Sequence, residues 1–482
     1  MPSLLQNAQE LGPSMPYNLP RRRRVRVTLA VVASICLLLL VLFGLSAHPQ
    51  TCEYARNLFG DNLKFDRNSI APNILALGPP HYDSIRGYEK NLPQHNQSLP
   101  FPEGKEGRYV KFSNQVRFMG WNNCLNEISG STIARLMNAH LAYASQRAYV
   151  FQDYLWAVNH YRWPKEKWLE SEPSTPLNAI IAGPTAGGVW GTGDPAPRSV
   201  SASWFDIVCP ERRIINTREI KPNISSAPGN EVFDAWKNVL LKAPERCIEI
   251  QSPPIREDTR PQTFDEHLWF NATRLESLWE LFINSPTSRL LQPSPLVLSA
   301  VYKNEYLFLP PSPRIQKSSP TPWDRMMAIH LRKGDFEDHC VGLWTVKMPW
   351  YGWNGLGFLP DRQTPNIGLE DHMKRCWPSV DDIVDKEKNG RGAVLDVMYL
   401  LTNDHSGFAD EIINALGEEG WLIRTTKDLM LDQEQTDVSM AVDMEIASKA
   451  SVFIGNGWSS FTSNIVHRRV KDGKERDSIR FF

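Results

Sequence analysis

The sequence predicts an α/β protein of two doubly wound domains, carried behind a single transmembrane helix and a stem. Three observations predict it. An uncharged apolar run lies near the N-terminus, a strand–turn–helix–strand pattern begins at residue 109, and a cleaner strand–helix alternation runs from 326 to 454. The chain has 482 residues, and the roughly 430 that follow the apolar run exceed what one core usually supports, which points to two domains of roughly 150–200 residues.

The apolar run, 27–47, holds 21 uncharged residues, among them Ile35-Cys36-Leu37-Leu38-Leu39-Leu40-Val41-Leu42-Phe43. At about 1.5 Å per helical residue it reaches about 30 Å, the thickness of a bilayer core. Arg21, Arg22, Arg23, Arg24 and Arg26 precede it, whereas the flank His48-Pro49-Gln50-Thr51-Cys52-Glu53 is not basic. The positive-inside rule keeps residues 1–24 in the cytosol, makes 25–47 the anchor and sends the remainder across. A cleaved signal peptide is the alternative, but its apolar region usually spans about 7–15 residues and starts closer to the first methionine. The expectation is a single-pass type II protein of the Golgi or endoplasmic reticulum membrane, with its larger part lumenal.

Cysteines and sequons agree with a lumenal placement. The chain has 7 cysteines. Setting aside Cys36 within the apolar run leaves Cys52, Cys124, Cys209, Cys247, Cys340 and Cys376, an even set suited to disulfides in an oxidising compartment. Asn96-Gln97-Ser98, Asn223-Ile224-Ser225 and Asn271-Ala272-Thr273 are sequons. His339, Cys340, His372 and Cys376 can be drawn as a metal site, yet no paired C-x2-C spacing supports it, and a disulfide or free thiols fit better. A net charge of -1, with 22% charged residues, argues against a general nucleic-acid binder, which needs a basic surface. It leaves room for one small anion site. The 16 tryptophans suit carbohydrate faces and apolar cores equally.

Residues 48–105 read as the stem. Proline and asparagine recur there (Ala71-Pro72-Asn73, Gly78-Pro79-Pro80, Leu99-Pro100-Phe101-Pro102) and apolar periodicity is weak. The first domain is expected over 106–320. Tyr109-Val110-Lys111-Phe112 and Val116-Arg117-Phe118-Met119 read as extended, followed by a turn at Gly120-Trp121-Asn122-Asn123. Leu125, Ile128, Ile133, Leu136, Met137, His140 and Ala144 then recur at helical spacing, and Ala148-Tyr149-Val150-Phe151 is a strand. That order opens a doubly wound domain. The stretch 160–320 is rich in Pro and Gly, with helical patches near 231–241 and 275–290. The segment 310–322 is the expected interdomain linker.

The second domain is expected over 321–482. The apolar runs 326–331 and 394–401 suit buried parallel strands. A helix follows at 408–416, a strand at 421–423, a helix at 438–450 and a strand at 451–454. No internal repeat and no acidic or glutamine-rich tract interrupts the chain.

Three strand ends in this second domain carry polar groups, and ligands of open α/β sheets bind outside the carboxyl ends of strands. The first is His330-Leu331-Arg332-Lys333-Gly334-Asp335-Phe336, where Arg332 and Lys333 offer a planar fork and a point charge for phosphate oxygens. The second is Thr402-Asn403-Asp404. The third is Phe453-Ile454-Gly455-Asn456-Gly457-Trp458-Ser459-Ser460-Phe461-Thr462, where glycines allow close backbone approach and the helix that follows turns its positive end toward an anion. Singly, each reads equally well as an ion pair or a turn. Their recurrence at three successive strand ends favours a nucleotide site.

The segment 330–336 resembles the H-[LV]-R-x-x-D element of fucosyltransferases, including the GDP-fucose protein O-fucosyltransferases. Asp443-x2-Ile446-x3-Ala450-x2-Phe453-Ile454-Gly455-Asn456-x2-Ser459-Ser460-Phe461-Thr462 looks like their C-terminal donor-binding motif, and Gly120-x-Asn122-Asn123 like their N-terminal G-x-x-N element. Where relatives often carry Gln after that Asn, this chain has Cys124. The resemblance covers about 105–155 and 325–470. The stretch 340–376, with Trp344, Trp350 and Trp353, looks like an insertion specific to this branch.

The resemblance implies a GT-B fold, two Rossmann-like domains facing a cleft that holds the donor. It implies inverting transfer of fucose from GDP-fucose to a protein or glycan hydroxyl, with no bound metal and no cofactor beyond the donor substrate. By motif, Arg332 would neutralise the departing GDP phosphate, and Ser459, Ser460 and Thr462 would hold the pyrophosphate. His330, Asp443 and Phe461 would lie near the nucleoside, and Asn123 near sugar and acceptor; Asp404, from the second strand end, is a further donor-binding candidate. Asp335 and Glu127 are the acidic candidates for a general base. Two alternatives stay open: a transferase using another nucleotide sugar, and a non-catalytic membrane-tethered binder of glycans or nucleotide sugars.

Overall fold

Fully buried parallel strands need apolar side chains on both faces, and the first such run in the C-terminal part forms the centre of its sheet. The computed structural model describes residues 74–114, 132–156, 161–224, 226–253, 262–264, 266–309, 321–334, 336–363, 366–390 and 395–482. Within them are two five-stranded sheets, both wholly parallel. The first uses β1 (Tyr109–Phe112), β2 (Ala148–Phe151), β3 (Val200–Ser201), β4 (Arg213–Asn216) and β5 (Cys247–Gln251), in the order β3-β2-β1-β5-β4. The second uses β6 (Met326–Leu331), β7 (Val397–Thr402), β8 (Leu422–Thr425), β9 (Val452–Gly455) and β10 (Ile479–Phe481), in the order β8-β7-β6-β9-β10.

In each sheet the strand earliest in sequence lies at the centre, and later strands are added first on one side and then on the other. The order reverses between β1 and β5 in the first sheet and between β6 and β9 in the second, the switch point where open α/β sheets form a crevice. Register fixes what meets there: Leu331 pairs with Thr402, and Ile329 with Ile454.

Helices cover both sheets: α1 (Asp83–Lys90), α2 (Thr132–Ala144), α3 (Ala202–Val208), α4 (Gly229–Lys242), α5 (Ala272–Ile283) and α6 (Pro295–Asn304), then α7 (Glu337–Thr345), α8 (Leu369–Cys376), α9 (Phe408–Glu418), α10 (Ser439–Lys449) and α11 (Ser460–Lys471). The amphipathic pattern explains α4, which buries Val232, Phe233, Trp236 and Leu240. The helical patch at 275–290 is broken in two. α5 ends at Ile283, Ser285 accepts a hydrogen bond from Ser288 N–H, and Pro286 opens a short new helix.

The two sheets share one continuous apolar core, and Ser69–Phe482 forms a single compact unit. α6 packs against α10 to join them. The stem reading needs correction over 74–105, which folds onto this unit. Tyr82, Leu92 and Gln94 are buried. The Tyr82 hydroxyl donates to Asp437 at 2.6 Å, and Gln94 Nε2 donates to Gly187 O and Ser199 O. Such isolated anchors bind to partners far along the chain and leave no local periodicity to read. The membrane helix read at 27–47 and the linker segment 310–320 lie outside the described residues. Among the described residues no helix is long and apolar enough to cross a membrane.

Two disulfides are formed, Cys209–Cys247 and Cys340–Cys376. The second removes the drawn metal site, because its sulfurs are bonded to each other and His372 Nε2 donates to Cys340 O at 2.9 Å. Cys52 and Cys124 lie outside the described residues. The stretch between Cys340 and Cys376 packs into the common core, where Trp350, Tyr351 and Trp353 are buried.

Candidate functional site

The end of β6, the end of β7 and the turn from β9 into α11 lie side by side at the carboxyl edge of the second sheet. His330, one residue before the end of β6, is buried. Burial, with the Arg332 charge nearby, pushes its imidazole down to about 3, so the ring is neutral at physiological pH. Its Nδ1 lies 3.0 Å from Thr462 Oγ1, and its ring packs 4.8 Å from that of Phe461. These contacts pin the first turn of α11 to the central strand. They also change one expectation: the Thr462 hydroxyl is fully buried against His330, which removes it from the groups able to reach a pyrophosphate.

Arg332 and Lys333 part company. Arg332 keeps partial solvent access, with its guanidinium 5.2 Å from the Phe336 ring. Lys333 is only 2% exposed, and its Nζ donates to Pro378 O at 2.7 Å between the rings of Trp377 and Phe408, 4.1 and 3.8 Å away. Burial drives its ammonium down to about 8 despite the carboxylates of Glu337, Asp404 and Asp382. Lys333 is thus a structural cation held by aromatic faces, not the phosphate contact read from sequence. Its backbone N–H donates to Asn403 Oδ1 at 2.8 Å, stitching the ends of β6 and β7 together.

Asp404 is likewise committed to the fold. It accepts hydrogen bonds from Ser406 Oγ and from the N–H groups of Ser406, Gly407 and Ala409. Burial opposes its ionisation, but these bonds prevail and hold its carboxyl at about 2. The carboxylate closes the turn into α9, so a donor-binding role is not what its geometry provides.

Asp443 lies on α10, where Tyr399 Oη donates to it at 2.5 Å and Thr426 Oγ1 at 2.9 Å. Burial raises its carboxyl to about 6, the hydrogen bonds from Tyr399 and Thr426 and the Arg162 charge offsetting part of the effect. An aspartate poised there can change charge near neutral pH.

The glycine turn is tighter than sequence suggests. A Cβ on Gly457 would lie 2.4–2.5 Å from the Trp350 ring, so this glycine admits a tryptophan of the same chain, not a ligand. Asn354 Nδ2 donates to Gly457 O and Ser459 O, both at 2.9 Å, and Tyr351 N–H donates to Gly457 O. Trp458 Nε1 donates to Met348 O, and His372 packs on the Trp458 ring. The disulfide-closed stretch therefore roofs the turn and fixes its shape. Ser459 is buried at the head of α11, while Ser460 keeps partial access. Asn123 and Asp335, with Gly120, Asn122 and Glu127, lie outside the described residues.

Two groups escaped the sequence reading. Asp437 is 1% exposed and accepts from Tyr82 Oη and Trp163 Nε1, both at 2.6 Å, and from Thr175 Oγ1 at 2.7 Å. It ties α1 and the loops near 163 and 175 to the start of α10. Next to it the exposed Arg162 donates to Ser439 Oγ at 2.7 Å, one helical turn before Asp443. Sequence separations of 262 to 355 residues hide such contacts from any local pattern. Among the described residues no group of three or more His, Cys, Asp or Glu side chains is placed to hold a metal ion.

No family model and no curated protein matches the chain. Solved structures do. The chain is similar to POFUT1 in complex with GDP at 14% identity, covering 77% of this chain and 96% of that one, with a TM-score of 0.46. It is similar to the fucosyltransferase NodZ from Bradyrhizobium at 10% identity, covering 74% and 92%, with a TM-score of 0.35. An Arabidopsis thaliana FUT1 variant in complex with GDP aligns at 12% identity over 81% and 73%, with a TM-score of 0.34.

Proposed function

We propose that the chain is a glycosyltransferase of GT-B architecture that moves fucose from GDP-fucose to a protein or glycan hydroxyl, with inversion and without a bound metal, anchored in the Golgi or endoplasmic reticulum membrane. One observation carries the reading. At the switch point of the second sheet, Arg332, the head of α11 with Ser459 and Ser460, and the motif residues His330 and Phe461 lie on neighbouring strand ends, the position where doubly wound sheets bind nucleotides. The sequence motifs at those strand ends supply the identity of the donor.

In this reading the chemistry falls to fixed charges. Breaking the sugar–phosphate bond leaves negative charge on the diphosphate, and a preorganised cation at Arg332 stabilises it as it develops. Neutral His330 cannot share that task, but it holds Phe461 and Thr462 in place and so aims the N–H groups at the head of α11. Asp443, ionised above about pH 6, offers acceptor oxygens to the nucleoside.

The buried turn at Gly457 and the engaged Thr462 hydroxyl favour a second reading, a non-catalytic nucleotide-sugar binder. Calorimetry on the full-length chain with GDP-fucose, GDP-mannose, UDP-N-acetylglucosamine and GDP, with and without EDTA, separates the possibilities. The transferase reading expects selective, EDTA-resistant binding of GDP and GDP-fucose, followed by turnover once an acceptor is supplied. Binding of a UDP-sugar alone, or binding that needs metal, overturns the fucose assignment. Binding without turnover on any acceptor leaves the non-catalytic reading.

A further inference from the structure

Two of the three sequons lie wholly within the described residues, and in both the fold decides what the asparagine can do. Asn96, Gln97 and Ser98 are all exposed, as are Asn271 and Thr273. The third, Asn223-Ile224-Ser225, ends on a residue outside the described ones.

In both asparagines the backbone orients the side-chain amide. Asn96 Oδ1 accepts from Ser98 N–H at 2.9 Å, and Asn271 Oδ1 accepts from Arg274 N–H at 3.1 Å, where it caps α5. A backbone N–H can meet only the oxygen of a carboxamide, so these bonds fix which atom is which. The amide is planar, with nitrogen and oxygen on opposite sides of its carbon. Each oxygen is turned to the main chain, so each Nδ2 is turned away from it, on an exposed residue. Asn91 is the contrast: it lies in no sequon, and its Nδ2 donates to Gly87 O at 2.8 Å, a bond that substitution of the nitrogen would disturb.

The chain around each site is anchored. Leu99 N–H donates to Asn96 O at 3.3 Å and Lys105 N–H to Gln97 O at 3.0 Å, while a Cβ on Gly104 would lie 2.1 Å from Leu99 O. On either side of Asn271, the Phe270 ring packs 5.0 Å from that of Tyr351, and a Cβ on Gly355 would lie 3.2 Å from that of Ala272. Both loops are therefore held by neighbours of the asparagine and leave its amide nitrogen out of the fold.

We infer that Asn96 and Asn271 each carry an N-linked glycan, displayed outward from these two anchored points. The co-reactant is an oligosaccharide joined through its anomeric carbon to a polyprenyl diphosphate. Nδ2 bonds to that carbon as the carbon's bond to the diphosphate oxygen breaks. The diphosphate leaves with the bonding electrons, and Nδ2 gives up one proton to a base of the modifying enzyme. The amide oxygen takes no part, so both backbone hydrogen bonds survive the modification. The inference rests on the lumenal placement in the proposed function, because sequons are modified in the secretory pathway.

The test is peptide mass spectrometry of the full-length chain made in a eukaryotic cell and treated with peptide N-glycosidase, which converts a formerly glycosylated asparagine to aspartate. Protease protection of intact membrane vesicles reports in parallel on which side of the membrane the chain lies. The expected result is conversion of both Asn96 and Asn271 in a protected chain. Ser98→Ala and Thr273→Ala each remove one exposed hydroxyl and keep both asparagine hydrogen bonds, whose donors are backbone groups. Each should lose one glycan, read as one step of gel mobility, with GDP binding unchanged. An unmodified Asn96 or Asn271 in a protected chain overturns the assignment of that site, as does mobility indifferent to its variant. Unmodified asparagines in a chain open to protease overturn the inference together with the lumenal placement, and GDP binding by that same chain would leave the donor reading standing.

Discussion

Asp437→Ala tests whether one buried carboxylate clasps α1 and the loops near 163 and 175 to the start of α10. The carboxylate takes three hydrogen bonds, from Tyr82, Trp163 and Thr175, and a buried donor left unpaired costs about 1–3 kcal/mol. Summed naively, three donors give about 3–9 kcal/mol. Two corrections lower that figure. The Tyr82 and Thr175 hydroxyls can rotate toward other acceptors, whereas the Trp163 indole N–H cannot. The variant also recovers the desolvation that raises the pKa of Asp437. The expected loss is therefore about 2–4 kcal/mol, set chiefly by the indole N–H that cannot turn to another acceptor. Asp437→Asn keeps the shape and one acceptor and should cost about 1–2 kcal/mol. Urea unfolding followed by tryptophan fluorescence gives the free energies, and hydrogen exchange locates the damage. Protection should fall first in α1 and least in α11. A loss under about 1 kcal/mol for Asp437→Ala, or deprotection spread evenly over both sheets, would refute the idea of a local clasp. The pH dependence has a definite sign. A folded pKa raised above the unfolded value means the native state binds more protons, so the contribution of Asp437 falls as pH rises through that interval and is constant above it.

The remaining predictions concern the second sheet. Arg332→Ala should cut turnover ~100-fold or more with the unfolding midpoint little changed, because its side chain is partly exposed; wild-type turnover would remove Arg332 from the chemistry. Acidification from pH 7 to 5 protonates Asp443 through its value of about 6 and should weaken GDP binding. The same raised pKa makes its contribution to stability larger at pH 4 than at pH 7, so binding and stability move in opposite directions, and Asp443→Asn should flatten both profiles in calorimetry and urea titration. Replacing Cys340 and Cys376 by serine opens a loop with a sequence separation of 36, worth about 4 kcal/mol by loop entropy, and should loosen the glycine turn enough to weaken GDP binding measurably. Gly457→Ala should cost about 1–3 kcal/mol by overpacking against Trp350, and adding Trp350→Leu should restore most of it; absence of rescue would show that the glycine serves some other contact.

The strands of the second sheet were legible because burial on both faces turns them into apolar runs. β6, β7 and β9 appear where the sequence places them, within a few residues. Residues 74–105 read as part of a stem because Tyr82 and Gln94 anchor as single residues, and a proline-rich stretch held by side-chain contacts to distant loops has the composition of a spacer. The site was half legible for a different reason. A cation, a hydroxyl or a glycine at a strand end serves a ligand and an internal contact equally well, and only the fold decides. Lys333 went to an aromatic cage, Asp404 to its own turn, Thr462 to His330 and Gly457 to Trp350.

That sorting has a chemical consequence. Had Lys333 stayed beside Arg332 in solvent, the end of β6 would present two mobile cations, a field suited to any polyanion. Drawing its ammonium between Trp377 and Phe408 leaves Arg332 as the solvent-accessible cation of that strand end, beside a helix head whose position is set by His330 and Asn354. A directional guanidinium and a fixed helix end discriminate by geometry where two flexible charges discriminate by charge alone.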